Sequence, residues 1–316
     1  MRTIVTGGAG FIGSTLVDRL LADGGEVVAL DNFDGFYAEA TKRRNLSAAM
    51  GHERFRLIQG DIRDKPLMDK IFDEIRPDAV VHLAARAGVR PSIEQPSLYA
   101  DVNVTGTVNL LEAASRLSTL PKFVYASSSS VYGDRDNAPF RESDSVDNPV
   151  SPYAATKKAC ELLAHTFHHL HALPTTGLRF FTAYGPRNRP DLAIAKFTAL
   201  IERGEPVPMF GDGSTKRDYT FVEDIVDGVV RAIEECSGYH IYNLGNTNPV
   251  ALSEMIATIG RAVGREPIIE RKPEQPGDVR MTCADISRAA ADLGYSPSTV
   301  FAEGIRRYVD WCRSEC

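Results

Sequence analysis

Short apolar runs alternate with longer stretches of helical periodicity over the first 181 residues. Six runs have the length and composition of buried strands: RTIVTG, EVVALD, FRLIQG, DAVVHLA, KFVYASS and TTGLRFF. Between them, apolar residues recur at helical spacing over residues 13–22, 40–49, 66–75, 96–117 and 152–170. This alternation is typical of parallel strands joined by crossover helices, so it predicts a doubly wound parallel α/β sheet.

Beyond residue 181 the pattern loosens. Helices are predicted over residues 192–203 and 222–236, and the proline- and glycine-rich segment 204–213 is predicted to be a loop. We therefore predict a first domain in residues 1–181 and a smaller α/β lobe for substrate in residues 182–316. Residues 222–245, with the apolar run HIYNLG, are expected to fold back onto the first domain.

The composition of the chain mainly excludes classes of partner and location. With 316 residues, 43% of them apolar, the chain is long enough to bury a large core. The net charge of −6 provides no broad basic field, so we expect neither nucleic acid nor a membrane as a partner. The first predicted strand begins at Arg2, which leaves no room for a signal peptide, and no apolar run approaches the length of a membrane span. The five cysteines form no CxxC pair, which favours reduced thiols and a cytoplasmic location.

A histidine cluster near residue 170 does not predict a metal site. The cluster comprises His165, His168, His169 and His171. No carboxylate or cysteine joins it at the spacing of metal ligands, so a solvated helix end is the simpler interpretation. Cys312 and Cys316 are close enough on a helix to approach each other, but we expect both to be reduced thiols.

Gly7, Gly10 and Gly13 lie between the first strand and the apolar start of a helix, as in the phosphate-binding turn of a Rossmann-type domain. Without side chains, the backbone can approach a pyrophosphate at the helix N-terminus. Asp31 ends the second strand, where a carboxylate accepts hydrogen bonds from a ribose diol and repels a 2′-phosphate, so NAD is favoured over NADP. Asp31 is alternatively interpreted as the start of a turn with Asn32. For Ala84 and Ala85, the alternative to a cofactor contact is simple close packing. The predicted cofactor site also includes Phe11, Ile12, Asn32, Asp61, Ile62, Ala84, Ala85, Tyr153 and Lys157.

Tyr153 and Lys157 predict the chemistry. They are four residues apart in a predicted helix, so they share one face, where a cation stabilises the phenolate of its neighbour. Ser128, at the end of the fifth strand, adds a hydroxyl to a proton path. Beside a dinucleotide, these groups predict removal of a proton from a substrate hydroxyl while the carbon gives a hydride to the cofactor.

The strings TGGAGFIG, HLAA, YASSSSVYG, YxxxK and RFFTAYGPR, with Asp31, occur in an order that resembles the extended short-chain dehydrogenase/reductase family, in its nucleotide-sugar branch. The resemblance implies that Tyr153 is the base and that Lys157 binds the nicotinamide ribose. It implies that Ser128 forms a hydrogen bond with the reacting oxygen. It also implies a homodimer paired through the helices near residues 96–117 and 152–170, whereas the sequence alone would equally allow their apolar faces to pack onto the sheet.

Within this branch, AGVRPSIEQP, FTAYGPRNRPDLAIAKF and MFGDGSTKRDYTFVEDIVDG are similar to UDP-glucuronate 4-epimerases. The resemblance implies interconversion of UDP-glucuronate and UDP-galacturonate through a 4-keto intermediate, with transient hydride transfer to bound NAD and no decarboxylation. The implied sugar carboxylate contacts are Ser129, Ser130, Thr182 and Arg189. The implied diphosphate contacts are Arg217 and Arg280, and Arg90 is equally well interpreted as a substrate contact or a surface charge.

Three alternatives stay open: a 4-epimerase of neutral UDP-sugars such as UDP-glucose or UDP-N-acetylglucosamine, a UDP-glucuronate decarboxylase, and a non-catalytic NAD-binding protein. Related dehydratases carry acidic residues just after the catalytic serine or threonine. This chain has Ser129 and Ser130 there, which argues against dehydration. Similar decarboxylases usually carry glutamate at the place of Ser130, so this serine also argues against a decarboxylase, although less strongly.

Overall fold

The computed structural model of the protein describes residues 1–135, 137–273 and 279–314. Its strands are β1 (Arg2–Thr6), β2 (Glu26–Asp31), β3 (Phe55–Gln59), β4 (Ala79–His82), β5 (Lys122–Ser128), β6 (Thr175–Phe180), β7 (Thr182–Tyr184), β8 (Val207–Phe210), β9 (Lys216–Phe221), β10 (Tyr239–Leu244), β11 (Pro249–Ala251) and β12 (Ile269–Lys272). Its helices are α1 (Phe11–Ala22), α2 (Glu39–Asn45), α3 (Lys65–Ile75), α4 (Val89–Glu94), α5 (Pro96–Tyr99), α6 (Gly106–Ser115), α7 (Pro152–His171), α8 (Ala193–Arg203), α9 (Val222–Glu234), α10 (Leu252–Val263), α11 (Ser287–Leu293) and α12 (Phe301–Ser314).

Seven parallel strands form the main sheet in the order β10-β6-β5-β4-β1-β2-β3. Neighbouring residues of one strand face opposite layers: Ile4 packs with α3 and α6, whereas Val5 packs with α1 and α9. The predicted doubly wound α/β fold is confirmed. Because the strands are parallel, their carboxyl ends share one edge of the sheet, which is where ligands of open α/β sheets lie.

One edge strand of the main sheet, β10, comes from late in the chain. Residues Tyr239–Leu244 pair with Thr175–Phe180, and α9 packs against α1. The first domain is therefore completed by β10 and α9, which come after residue 181 in the chain. The division near residue 181 stays a prediction.

The smaller lobe has its own apolar core between α8, α10 and α12, which includes Phe197, Met255 and Ile305. One correction concerns the predicted loop 204–213, because it contains β8, which pairs in parallel with β12. Pro208 lies in that strand. A two-stranded sheet leaves each strand one edge without a partner, and proline is tolerated at such an edge.

The helix predicted over residues 96–117 is also interrupted. A π-helical turn, Ala100–Thr105, separates α5 from α6. Asn103 in this turn is 1% exposed, and its amide contacts the backbone N–H and C=O of Arg86 and the hydroxyl of Thr156 at 2.8–3.0 Å. The turn thus connects the segment after β4 to α7. The helix predicted over residues 40–49 ends early, at Asn45.

Within the described residues, no helix is long and apolar enough to cross a membrane.

Candidate active site

A cavity of about 410 Å³ opens at the carboxyl edge of the main sheet. The structure brings most of the predicted site residues together around it: Gly7, Gly10, Phe11, Ile12, Gly13, Asp31, Asn32, Asp61, Ile62, Ala84, Ala85, Ser128, Ser129, Ser130, Tyr153, Lys157, Thr182 and Arg189. One edge therefore presents the glycine turn, the predicted acid–base groups and the predicted carboxylate contacts. The individual roles of these residues stay predictions.

The turn between β1 and α1 has no space for side chains at its critical positions. Gly7 has a φ of 69°, and the amide of Gly10 donates to its carbonyl oxygen at 3.0 Å. A Cβ at Gly13 would overlap that same carbonyl oxygen. Helix α1 begins at Phe11 without a side-chain cap. The backbone N–H groups of its first turn are thus suited to an anion.

Asp31 ends β2 with a carboxylate held in place by the backbone. Its two oxygens accept hydrogen bonds from the amides of Ala9 at 3.1 Å and Phe33 at 2.8 Å, and the side chain is buried. Each carboxylate oxygen has capacity for a further hydrogen bond. The geometry fits acceptance of two ribose hydroxyl donors.

Asp61 is fixed as an anion beside Asn32. Hydrogen bonds from Arg63 lower the pKa of Asp61 to about 2, against the opposing effect of partial burial. The amide of Asn32 donates to the same carboxylate at 2.9 Å. Asp61 therefore orients Asn32 at the rim of the cavity.

Helix α7 places Tyr153 and Lys157 on the face that meets the sheet. The helix begins after Ser151, whose hydroxyl accepts from the amide of Ala154 at 3.1 Å. The ammonium of Lys157 donates to the carbonyl oxygen of Ala126 at 2.7 Å and is almost fully buried. The ring of Tyr153 meets Tyr99 edge to face, with 6.2 Å between centroids.

The serine run after β5 forms a compact turn at the cavity. Ser128 ends the strand, and its Oγ accepts from the amide of Ser130 at 3.1 Å and lies 3.1 Å from the Ser130 hydroxyl. Ser129 and Ser130 begin a 3₁₀ turn that ends at Tyr132. Three neighbouring hydroxyl groups are thereby presented together.

A buried ion pair lies directly behind this turn. Glu161, on α7, forms a bidentate pair with Arg179 of β6 at 2.8 and 2.9 Å, and the two side chains are 1% and 3% exposed. The hydroxyl of Ser127 donates to the same carboxylate at 2.6 Å. Residues 153, 157 and 161 lie on one face of α7. The hydrogen bond between Ser127 and Glu161 therefore connects the helix face that carries the predicted base to the end of β5.

His82 is buried, and it is close enough to Lys157 to be affected by its charge. Burial lowers the pKa of His82 to about 3, and the charge of Lys157 acts in the same direction. Its ring nitrogens contact the hydroxyls of Thr6 at 2.7 Å and Thr107 at 3.0 Å. His82 is therefore neutral near pH 7 and adds no second cation near Lys157.

The loop after β2, residues 32–38, contributes cavity residues that sequence analysis missed. Phe36 contacts two guanidinium groups, those of Arg86 at 5.3 Å and Arg189 at 4.9 Å from the ring centroid. Arg86 also pairs with Asp34 at 3.1 Å. The Tyr37 hydroxyl is buried and has no hydrogen-bond partner among the described residues. A loop conformation brings these groups together, so no periodic signal identified them.

Arg189 reaches the cavity from the loop after β7. Its Nε and Nη2 donate to the two carboxylate oxygens of Asp191 at 3.0 and 2.6 Å. Although burial opposes the charge, these hydrogen bonds hold the pKa of Arg189 above its ordinary value. Tyr153 is near enough to influence Arg189 electrostatically. The proposed base and a fixed cation thus face one space.

Three predicted arginine contacts do not line this cavity. Arg90 stacks on Phe210 at 5.8 Å, which connects α4 to the smaller lobe. Arg217 is in β9, and the carbonyl oxygen of Arg280 accepts from the neighbouring amide of Lys216 at 2.9 Å. The segments that carry Arg217 and Arg280 are therefore adjacent, but the structure does not bring the three arginines to the acid–base groups. Their contacts with a nucleotide stay predictions.

The histidine cluster is held by aromatic and backbone contacts. His165 meets Tyr239 edge to face at 4.9 Å, and Nδ1 of His168 contacts the carbonyl oxygen of Leu173 at 3.0 Å. Among the described residues, no group of three or more histidine, cysteine, aspartate or glutamate side chains is arranged to hold a metal ion. Cys316 lies outside the described residues, so its proximity to Cys312 stays a prediction.

Residues 4–308 match the family model described as GDP-mannose 4,6 dehydratase. The chain belongs to this family of extended short-chain dehydrogenases/reductases. The family predicted from the glycine turn, the serine run and the YxxxK pair is confirmed.

Relatives of this family member include sugar-nucleotide epimerases. The UDP-glucuronate 4-epimerase of Thermodesulfobacterium geofontis is 41% identical, covering 98% of this chain and 95% of its own. The structure of UDP-glucuronic acid 4-epimerase from Bacillus cereus, in complex with UDP-glucuronic acid and NAD, matches with a TM-score of 0.92 and 34% identity over 100% of both chains. That of UDP-glucose 4-epimerase from Thermotoga maritima with UDP-glucose matches with a TM-score of 0.91 and 32% identity over 100% of this chain and 99% of that one.

Proposed function

We infer that this protein is an NAD-dependent UDP-glucuronate 4-epimerase, which interconverts UDP-glucuronate and UDP-galacturonate without decarboxylation. The observation that carries this proposal is the convergence of two sets of residues in one cavity. Ser128, Tyr153 and Lys157 line this cavity together with the glycine turn, and Thr182 and Arg189 line it as well. The relative from Thermodesulfobacterium geofontis and the Bacillus cereus structure named above support the same activity.

The described residues fit NAD. The glycine turn would hold the pyrophosphate against the start of α1, and the carboxylate of Asp31 would accept the ribose hydroxyls. Bound there, NAD would supply reversible hydride transfer at C4 of the sugar, with return of the hydride to the opposite face. The reaction has no net redox change, so the cofactor need not be replaced between turnovers.

The remaining chemistry falls to side chains of this chain. Tyr153 removes the proton of the C4 hydroxyl and later returns it, and the buried ammonium of Lys157 stabilises the phenolate. Ser128 forms a hydrogen bond with the same oxygen. Because the Ser128 hydroxyl is itself held by Ser130, its position is fixed before substrate arrives.

The sugar carboxylate requires separate control. A 4-keto uronate is a β-keto acid, and it loses CO₂ when the carboxylate bond aligns with the carbonyl π system. Ser129, Ser130, Thr182 and Arg189 would hold the carboxylate out of that alignment. The guanidinium of Arg189 would supply charge-assisted hydrogen bonds, which are stronger than hydrogen bonds between neutral groups.

An NMR time course of the purified protein with UDP-glucuronate and no added NAD tests the proposal. We expect UDP-galacturonate to appear without loss of CO₂, because the cofactor stays bound. A UDP-pentose product would identify a decarboxylase instead. No change after NAD is added, together with turnover of UDP-glucose, would assign the protein to the neutral UDP-sugars.

Gly13→Ala is expected to weaken NAD binding roughly 5- to 150-fold and so to lower the NAD content of the purified protein, because overpacking of this size costs roughly 1–3 kcal/mol. The added Cβ would overlap the carbonyl oxygen of Gly7. The measurement is released NAD per chain, determined by chromatography. Gly51→Ala is the matched control, because its Cβ would meet no atom within 4 Å. Equal NAD content in the two variants would contradict the proposed cofactor turn.

We propose further that the protein is a cytoplasmic homodimer. Leu162 and Leu170 on α7 are 58% and 66% exposed, and this apolar surface suits pairing with a second copy. Light scattering of the purified protein tests the oligomeric state.

A further inference from the structure

The side chain that binds Arg189 in this structure is itself a carboxylate. Asp191 takes the Nε and Nη2 positions of the guanidinium, the fork geometry in which arginine binds carboxylates most strongly. The proposed substrate carries a carboxylate to the same guanidinium. One fork holds one carboxylate, so a uronate that binds through Nε and Nη2 must displace Asp191 from these two donors.

The burial of the two partners is unequal. The Arg189 side chain is 17% exposed and has one face against Phe36, whereas the Asp191 side chain is 42% exposed. An arginine in such surroundings is costly to leave without a counter-ion. Asp191 can return to water at little cost because much of its surface is already solvated. Exchange should therefore move Asp191 and leave Arg189 in place.

We propose that Asp191 is an exchangeable counter-ion that limits the affinity of the site for a uronate: it pairs with Arg189 and yields the guanidinium fork to the substrate carboxylate. This inference rests on the proposed function. Asp191 acts through Arg189 and does not touch substrate, so it is a positioning residue.

The exchange also suits an epimerase. The sugar must present first one face and then the other to the cofactor, so the contact of its carboxylate with Arg189 must be reversible. While the sugar turns, Ser129, Ser130 and Thr182 would still hold the carboxylate, and Asp191 can take the guanidinium again. The buried cation is then paired at each stage, and neither the substrate nor the product carboxylate is held so tightly that it blocks the turn.

The test is a calorimetric titration of the NAD-bound enzyme in a Tyr153→Phe background, which suppresses turnover. We expect Asp191→Asn to strengthen UDP-glucuronate binding about tenfold, because the competing negative charge is removed. Binding of UDP-glucose should change less than about twofold, since that sugar has no carboxylate. The ratio of the two affinities is the readout, and a purely structural role for Asp191 would not raise it.

The chain provides a matched control in Arg203 and Glu205. They form the same fork between residues two apart, at 2.8 and 3.1 Å, but on the exposed surface. Glu205→Gln should leave the affinity ratio unchanged. An unchanged or lower ratio in Asp191→Asn would overturn the counter-ion role. The NMR time course on the wild-type enzyme decides the proposed function separately, so failure of one is distinguishable from failure of the other.

Discussion

Tyr153→Phe is expected to lower kcat for UDP-glucuronate roughly 10²–10⁴-fold, which is the usual contribution of a positioned acid–base group. The phenyl ring retains the packing against Tyr99 but has no phenolate oxygen to accept the C4 proton. The buried ammonium of Lys157, held by the Ala126 carbonyl, then has no phenolate to stabilise. The measurement is the initial rate of UDP-galacturonate formation, with substrate affinity determined in parallel. Affinity should change little, because the lost interaction acts during proton transfer.

Tyr99→Phe is the matched control for this prediction. Tyr99 lies in the same aromatic pair, and its hydroxyl donates to the carbonyl oxygen of Ala87 at 3.1 Å. Loss of this hydrogen bond should cost about 1 kcal/mol of stability. The chemistry should be retained, because Tyr99 has no proposed part in proton transfer. Similar losses of kcat in the two variants would contradict the assignment of Tyr153 as the base.

Glu161→Gln is expected to lower the free energy of unfolding by about 3–5 kcal/mol, the usual cost of removing one partner of a buried ion pair. The substitution leaves the charge of Arg179 buried without its counter-ion and removes the anionic acceptor of the Ser127 hydroxyl. Urea unfolding, followed by circular dichroism, measures the change. A loss as small as that of a typical surface substitution would show that Arg179 finds another partner.

Two comparisons separate burial from charge in this prediction. Glu303 forms an equivalent fork with Arg306 on the exposed face of α12, so Glu303→Gln should have little measurable effect. A double variant with Glu161→Leu and Arg179→Met removes both charges and should recover much of the stability. If the double variant is no more stable than Glu161→Gln, then the unpaired charge is not the cause of the loss.

The strands of the main sheet were predictable because each is a short apolar run that ends in a recognisable turn or catalytic string. Gly7, Asp31 and Ser128 stand at strand ends, so the sheet topology alone assembles much of the site. Tyr153 and Lys157 follow from helical spacing. Local pattern and fold agree at these positions, as in most foldable sequences.

The errors come from long-range or polar contacts. Strand β8 was missed because its partner, β12, lies about 60 residues later and because Pro208 reads as a loop residue. The π-helical turn follows from the buried contacts of Asn103, and a run of apolar residues around an asparagine does not reveal them. Phe36 and Asp191 act through loop conformations, which have no period. The sequence therefore predicts the strands and helices of the main sheet better than it predicts the contacts made by the loops.

The late arrival of β10 has a consequence for synthesis. Until Leu244 has left the ribosome, β6 presents an unpaired edge, and the apolar surface of α1 lacks its partner α9. Open edges of this kind favour association with other chains. The nascent cofactor domain is thus incomplete until most of the polypeptide has been made. Gene fusions or domain exchanges that cut after residue 181 would separate a sheet from one of its own strands.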